Sequence, residues 1–147
     1  MKEISWERTS FEEIKSMFYA LQKHMKKFEY EDEKSLEFDA PKQIHSMYSI
    51  FRIKIDKEIV GFCSFAPDDR CKQKSVCYLS YLYVKKDFRN HGIGTQILKN
   101  LPKMFEQVYH EKLEILYLDY MFLNNQAYKF YEKFGLKPCS VEGFIKF

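Results

Sequence analysis

Apolar residues recur in this chain first at the spacing of a helix and then at the spacing of strands. Phe11, Ile14, Phe18, Leu21 and Met25 fall on one helical face with Met17 beside them, and Ser10 with Glu13 reads as a capping box at its start. Residues 28–46 lack a clean period and predict a loop with a second helix. Phe51, Ile53 and Ile55 then alternate with Arg52 and Lys54, the period of a half-buried strand. Asp56, Lys57 and Glu58 turn the chain into a return strand over 59–65. A charged loop, 68–74, leads into Val76–Val84, which is apolar or aromatic on both faces and so predicts a central, covered strand. After Gly94 a helix carries Ile97, Leu98, Leu101, Met104, Phe105 and Val108 on one side. Pro102 inside it is expected to kink or interrupt it. Residues 113–120 read as another buried strand, followed by a short helix and a terminal strand over 141–147. The order predicts an α/β fold of the mixed α+β kind, a mostly antiparallel sheet flanked by helices.

Composition narrows the setting. A chain of 147 residues is expected to form a single domain, 1–147, with a real core, and 14 Phe with 11 Tyr supply it. No apolar run reaches the roughly 20 residues that span a bilayer, and the N-terminus shows no apolar signal-peptide region. The expectation is a cytoplasmic protein with no membrane partner. Cys63, Cys71, Cys77 and Cys139 show no Cys-x-x-Cys pairing and are read as free thiols; the four histidines have no ligand spacing, so no metal is expected. A net charge of +3 with Lys and Glu interleaved gives no basic face for nucleic acid.

Chemistry concentrates in Arg89-Asn90-His91-Gly92-Ile93-Gly94, between the central strand and the helix. A strand, a glycine-bearing turn and a helix N-terminus make an anion site: the first-turn N–H groups lack helical partners, and the helix dipole adds positive potential. Glycines at 92 and 94 clear the approach of a phosphate to that backbone. A pyrophosphate is the ligand this suggests, and a plain surface turn is the other reading. A dinucleotide fingerprint would need glycine where Ile97 stands, and a Walker loop would need Gly-Lys-Ser/Thr, which is absent. A second motif runs from Asn124 to Leu136. Asn124 is a good N-cap; Ala127, Phe130, Tyr131 and Phe134 share a helical face; Gly135 and Pro138 end the helix.

These two segments resemble the hallmarks of the GNAT superfamily of acyl-CoA-dependent N-acetyltransferases. The first is similar to its Gln/Arg-x-x-Gly-x-Gly/Ala turn. The second is similar to its Asn-x-x-Ala-x-x-Leu/Phe-Tyr-x-x-x-Gly-Phe/Leu helix, matched by Asn124, Ala127, Phe130, Tyr131, Gly135 and Leu136. The resemblance is clear from about Tyr48 onward and weak before it. It implies acetyl transfer from acetyl-CoA to a primary amine of a small molecule or peptide. It also implies coenzyme binding by the backbone of Arg89, Asn90, His91, Gly92, Ile93, Gly94 and Thr95. The pantetheine arm would add along Leu82, Tyr83 and Val84, and Asn124 would contact the coenzyme as well. A backbone N–H near Leu82 or Tyr83 would stabilise the oxyanion, and Tyr131 would be the general acid; a core tyrosine capping a buried polar group is the other reading of Tyr131. Many relatives carry a Glu on the fourth strand as base. Here 75–84 has no carboxylate, its likely places being held by Tyr78, Ser80 and Tyr81; Asp119 is the nearest acidic candidate, with a plain polar residue at a strand end as its other reading and a water chain to a distant carboxylate as the other route. Arg89 could instead pair with a surface carboxylate. The acids Glu29, Glu31, Asp32, Glu33, Glu37 and Asp39 could attract a cationic amine, or form a solvated loop. A homodimer is possible, as among similar proteins. A non-catalytic acyl-CoA sensor of the same fold and an unrelated phosphate binder are the rival function classes.

Overall fold

A computed structural model describes residues 2–147; the first residue of the expected domain and of the N-terminus read for a signal peptide, Met1, lies outside them. Five strands form one sheet in the order β1 (Ser5–Thr9), β2 (Ser49–Ile55), β3 (Glu58–Asp68), β4 (Val76–Val84) and β5 (Ile115–Leu118). The first four are antiparallel neighbours and β5 joins β4 in parallel. Helix α1 (Phe11–Met25) follows β1, a one-turn α2 (Glu31–Lys34) follows a 3₁₀ turn, α3 (Ile93–Tyr109) links β4 to β5, and α4 (Asn125–Phe134) follows β5. The mixed, mostly antiparallel sheet flanked by helices is the expected architecture.

The chain divides into two compact units. The first holds 2–21 and 41–119, and the second holds 22–40 and 120–147. In the first, alternation along the strands sends Phe51, Cys63 and Phe65 to one face. There α3 buries Ile97, Leu101, Met104 and Phe105. Phe65 stacks on Phe51 at 5.7 Å and meets the rings of Phe105 and Tyr109, each at 6.3 Å. The opposite face receives α1, whose Phe18 meets Tyr81 edge-on at 5.3 Å. Arg52 on that face pairs with Glu7 of β1 and lies 3.5 Å from Glu13 of α1. Phe65→Ala is expected to cost about 3–5 kcal/mol, because the ring is fully enclosed and its neighbours are rings that cannot collapse into the gap; denaturant melts check this.

Five expectations change, the first being the buried strand of 113–120: β5 is only Ile115–Leu118, exposed at Ile115 and half-buried beyond it, because it is the sheet's edge. The edge strand β1 was not foreseen, since Ser5–Thr9 carries one large apolar residue, Trp6; its pairing with Ile53 across the ladder supplies the order. The second helix of 28–46 is only the four-residue α2. Helix α3 runs through Pro102 without interruption: the ring sits on the exposed side and forfeits only one ladder hydrogen bond. The terminal strand is absent: among the described residues no strand pairs with 141–147, and Val141, Ile145 and Phe147 stand in solvent. An extended segment without a ladder partner has no backbone hydrogen bonds to hold it as a strand. The four cysteines are free; burial raises the Cys63 thiol pKa, and that of Cys77 to about 12, so both stay protonated.

Candidate active site

The turn grows out of β4. Residues 86–88 make a 3₁₀ turn, Arg89 is extended, and Asn90 and Gly92 take left-handed conformations at φ 64° and 77°. Gly92 is the N-cap of α3, and its carbonyl accepts from Gln96 N–H at 3.1 Å. The amides of Ile93, Gly94 and Thr95 therefore precede the first helical hydrogen bond. Asn90 and His91 are exposed, Gly94 and Thr95 half-buried. The Arg89 side chain turns inward: Nε donates to the Val84 carbonyl at 2.8 Å. Neither reading from sequence, phosphate contact or surface ion pair, included that bond.

Strand β4 outruns its parallel partner. The β4–β5 ladder covers Val76 to Leu79, opposite Ile115 to Leu118. Beyond it, no strand among the described residues pairs with 80–84 on that edge. On the other edge, Lys85 N–H donates to Val60 O at 2.8 Å, which makes that opposed pair a hydrogen-bonded one. Alternation along an antiparallel ladder then directs Tyr83 toward β3 and directs the N–H and C=O of Leu82 and Val84 to the open edge.

A bulge reshapes the middle of β4. Ser64 faces Tyr81 and Phe65 faces Leu79, so Ser80 is the extra residue. Its hydroxyl donates to Ser64 O at 3.0 Å and shares a 2.5 Å hydrogen bond with the buried Ser64 hydroxyl. The bulge brings Tyr78 and Tyr81 to one face, where regular alternation would separate them. There the Tyr78 hydroxyl donates to Asp119 Oδ2 at 2.5 Å. Burial first, and then this bond, hold the Tyr78 pKa well above the ordinary phenol range; burial also raises Tyr81, with Tyr48 and Asp119 adding to it. Tyr78 is the partner that sequence reasoning did not assign to Asp119, because the two lie 41 residues apart.

Asn124 and Tyr131 belong to the second unit. Asn124 caps α4, its Oδ1 accepting from Ala127 N–H at 3.1 Å, which leaves its Nδ2 for other partners. Gly135 ends the helix at φ 115°, and its N–H and that of Leu136 both bond to the Tyr131 carbonyl. The Tyr131 ring is half-buried, stacked on Tyr120 at 6.1 Å and tilted against Phe130 at 5.0 Å. In the same unit Tyr30, Glu31, Asp32, Phe122, Glu142 and Phe144 line a cleft of about 650 Å³. Among the described residues no helix is long and apolar enough to cross a membrane, and no group of three or more His, Cys, Asp or Glu could hold a metal.

Solved structures share this fold. The Bacillus subtilis protein YycN, provisionally described as an acetyltransferase, superposes with a TM-score of 0.73 at 19% identity over 98% of each chain. A ribosomal-protein-alanine N-acetyltransferase from Brucella melitensis biovar Abortus 2308 gives 0.62 at 16% over 98% of this chain and 99% of its own. An aminoglycoside acetyltransferase from an uncultured soil metagenomic sample, in complex with sisomicin, gives 0.64 at 14% over 98% and 96%. A curated relative, N-alpha-acetyltransferase 60 of Danio rerio, is 36% identical over 62 residues, 42% of this chain. The match spans about a quarter (26%) of that relative's length. The sequence model of the Acetyltransferase (GNAT) family matches residues 10–136, across the β4 turn and the whole Asn124–Leu136 motif, and the chain belongs to that family.

Proposed function

We propose that the chain is one catalytic domain, 1–147, that transfers the acetyl group of acetyl-CoA directly to a primary amine of a small molecule or peptide. The observation that carries this reading is continuity: a strand edge with the Leu82 backbone groups and the Val84 N–H outside any ladder runs into a turn where a left-handed Gly92 precedes the amides of Ile93, Gly94 and Thr95, which come before the first helical hydrogen bond. An extended arm with amide groups can pair with the first, and a diphosphate with the second. Bound there, acetyl-CoA supplies the activated acyl group. Leu82 N–H, aimed at the open edge, would stabilise negative charge developing on the transferred carbonyl. Arg89, Asn90, His91 and Thr95 frame the diphosphate, Tyr83 seats the edge from within, and the Asn124 Nδ2 is a further donor.

The acceptor ammonium must lose a proton before attack. Asp119 is the assigned base, acting through Tyr78: the Tyr78 oxygen accepts the amine proton while its own passes to Asp119 Oδ2. The raised Tyr78 pKa keeps that phenol protonated, and thus able to relay, across the range in which amines titrate. Asp119→Asn keeps an oxygen for Tyr78 but removes the proton sink. Turnover should fall about 10²-fold with coenzyme affinity unchanged, read by steady-state kinetics and calorimetry. Tyr131 is the assigned general acid for the departing thiolate.

The names of the similar proteins span peptide amines and aminoglycosides. The cleft of the second unit favours a cationic acceptor with an apolar body, since aromatic walls meet Glu31, Asp32 and Glu142. Glu33 is occupied by the Tyr30 N–H, which it accepts at 2.9 Å to cap α2. Neutralising Glu31, Asp32 and Glu142 together should raise KM for the amine about three- to tenfold and leave KM for acetyl-CoA unchanged. Unchanged amine kinetics would remove this assignment.

The function is tested by incubating the protein with acetyl-CoA and an amine panel while following thiol release and the mass gain of one acetyl group. The lack of a carboxylate on β4 favours a second reading, a non-catalytic acyl-CoA sensor. Thermal stabilisation by acetyl-CoA with no thiol release against any amine would select it.

A further inference from the structure

Arg89 lies in the turn assigned to a diphosphate, and its charge suggests a phosphate contact. Its geometry points elsewhere. The Nε–H is spent on the Val84 carbonyl at 2.8 Å, and the guanidinium carbon sits 5.5 Å from the centre of the Tyr83 ring. Both partners lie on β4, and the bond spans five residues. The Val84 carbonyl needs that donor. Register turns it away from β3, and β5 stops at Leu79, so no ladder hydrogen bond reaches it. Arg89 thus closes the segment 84–89 into a ring. That ring is the base from which Asn90 and Gly92 make their left-handed bends.

We propose that Arg89 is a positioning residue for the coenzyme turn. Its Nε–H clamps the last carbonyl of β4, ties the turn to the strand, and holds the amides of residues 93–95 where a phosphate meets them. The donor at that position matters and the positive charge does not. The clamp also occupies the Val84 carbonyl, so an arm added to the open edge has the Leu82 carbonyl and the Val84 N–H to pair with and cannot draw on the last carbonyl of the strand. This inference rests on the coenzyme reading of the turn.

Two substitutions separate donor from charge. Glutamine places its Nε2 the same number of bonds from the backbone as arginine Nε, and carries no charge. Lysine keeps the charge and puts a methylene at that place. Dissociation constants for coenzyme A are measured by calorimetry for the wild type, Arg89→Gln, Arg89→Lys and Arg89→Met, at low and high salt, beside thermal midpoints without ligand. Arg89→Met and Arg89→Lys should weaken binding by about tenfold or more, and Arg89→Gln should recover most of that loss, staying within about threefold of wild type. The salt dependence with glutamine should match wild type, since removal of a phosphate-bound charge would flatten it. Should Arg89→Met fail to fold, the glutamine–lysine pair and the salt dependence still decide. Retention by lysine with loss by glutamine, or equal affinity in all variants, overturns the clamp while the coenzyme reading stands. Absence of binding by the wild type overturns both.

Discussion

Gly92→Glu is expected to abolish coenzyme A binding, with no heat detectable by calorimetry at concentrations that saturate the wild type. Three effects act together. Gly92 sits at φ 77°, where a side chain costs about 1–2 kcal/mol. The new side chain adds bulk to the turn proposed to hold the diphosphate. Its carboxylate puts a negative charge at the helix N-terminus, so it repels phosphate. The same negative charge suits the dipole of the helix it precedes, which offsets part of the strain. The thermal midpoint should therefore move by a few degrees while binding is lost. Gly92→Ala, which adds strain without bulk or charge, should weaken binding less. Tight coenzyme binding by the glutamate variant would remove the turn from the site.

Tyr131→Phe is expected to lower turnover by about 10²–10⁴-fold while acetyl-CoA affinity stays within about twofold. The substitution removes one oxygen and keeps the ring. The stack on Tyr120 and the contact with Phe130 can persist, and the Tyr131 carbonyl still accepts the N–H groups that end α4. A loss confined to kcat then reports the hydroxyl rather than the helix. Rapid-quench measurement of the first turnover distinguishes a slowed chemical step from slowed product release. Wild-type turnover in the variant would transfer the acid role to another group.

The parts of this protein that could be read from its letters are those decided within a few residues. The α4 motif is one: Asn124 finds Ala127 three positions on, and Gly135 closes the helix on the Tyr131 carbonyl four positions back. The buried face of α3 is another. Its apolar residues recur at helical spacing, and five of the six expected there are buried, with Val108 half-buried. The hairpin from β2 to β3 follows from alternation and a short turn with Asp56 left-handed at φ 56°. Where the deciding contact is distant, the letters are silent. Ser5–Thr9 becomes a strand because β2 offers a ladder to it, and 141–147 stays irregular because no ladder is offered.

The same division runs through the candidate site. Sequence alone determined that residues 89–95 join a strand to a helix through a glycine-bearing turn, because backbone freedom at Gly92 and the start of apolar periodicity are local properties. It also picked out Asp119 as the nearest carboxylate to a strand that has none. Tertiary structure decided what those groups can do. A bulge at Ser80, held by a hydroxyl on the neighbouring strand, turns Tyr78 onto the face where Asp119 receives its proton bond. The early end of β5 leaves Leu82 and Val84 open, and Arg89 folds back to occupy one of the groups thus exposed. Register between strands depends on energies summed over the whole sheet, so which backbone groups remain unpaired is settled only when every strand is in place.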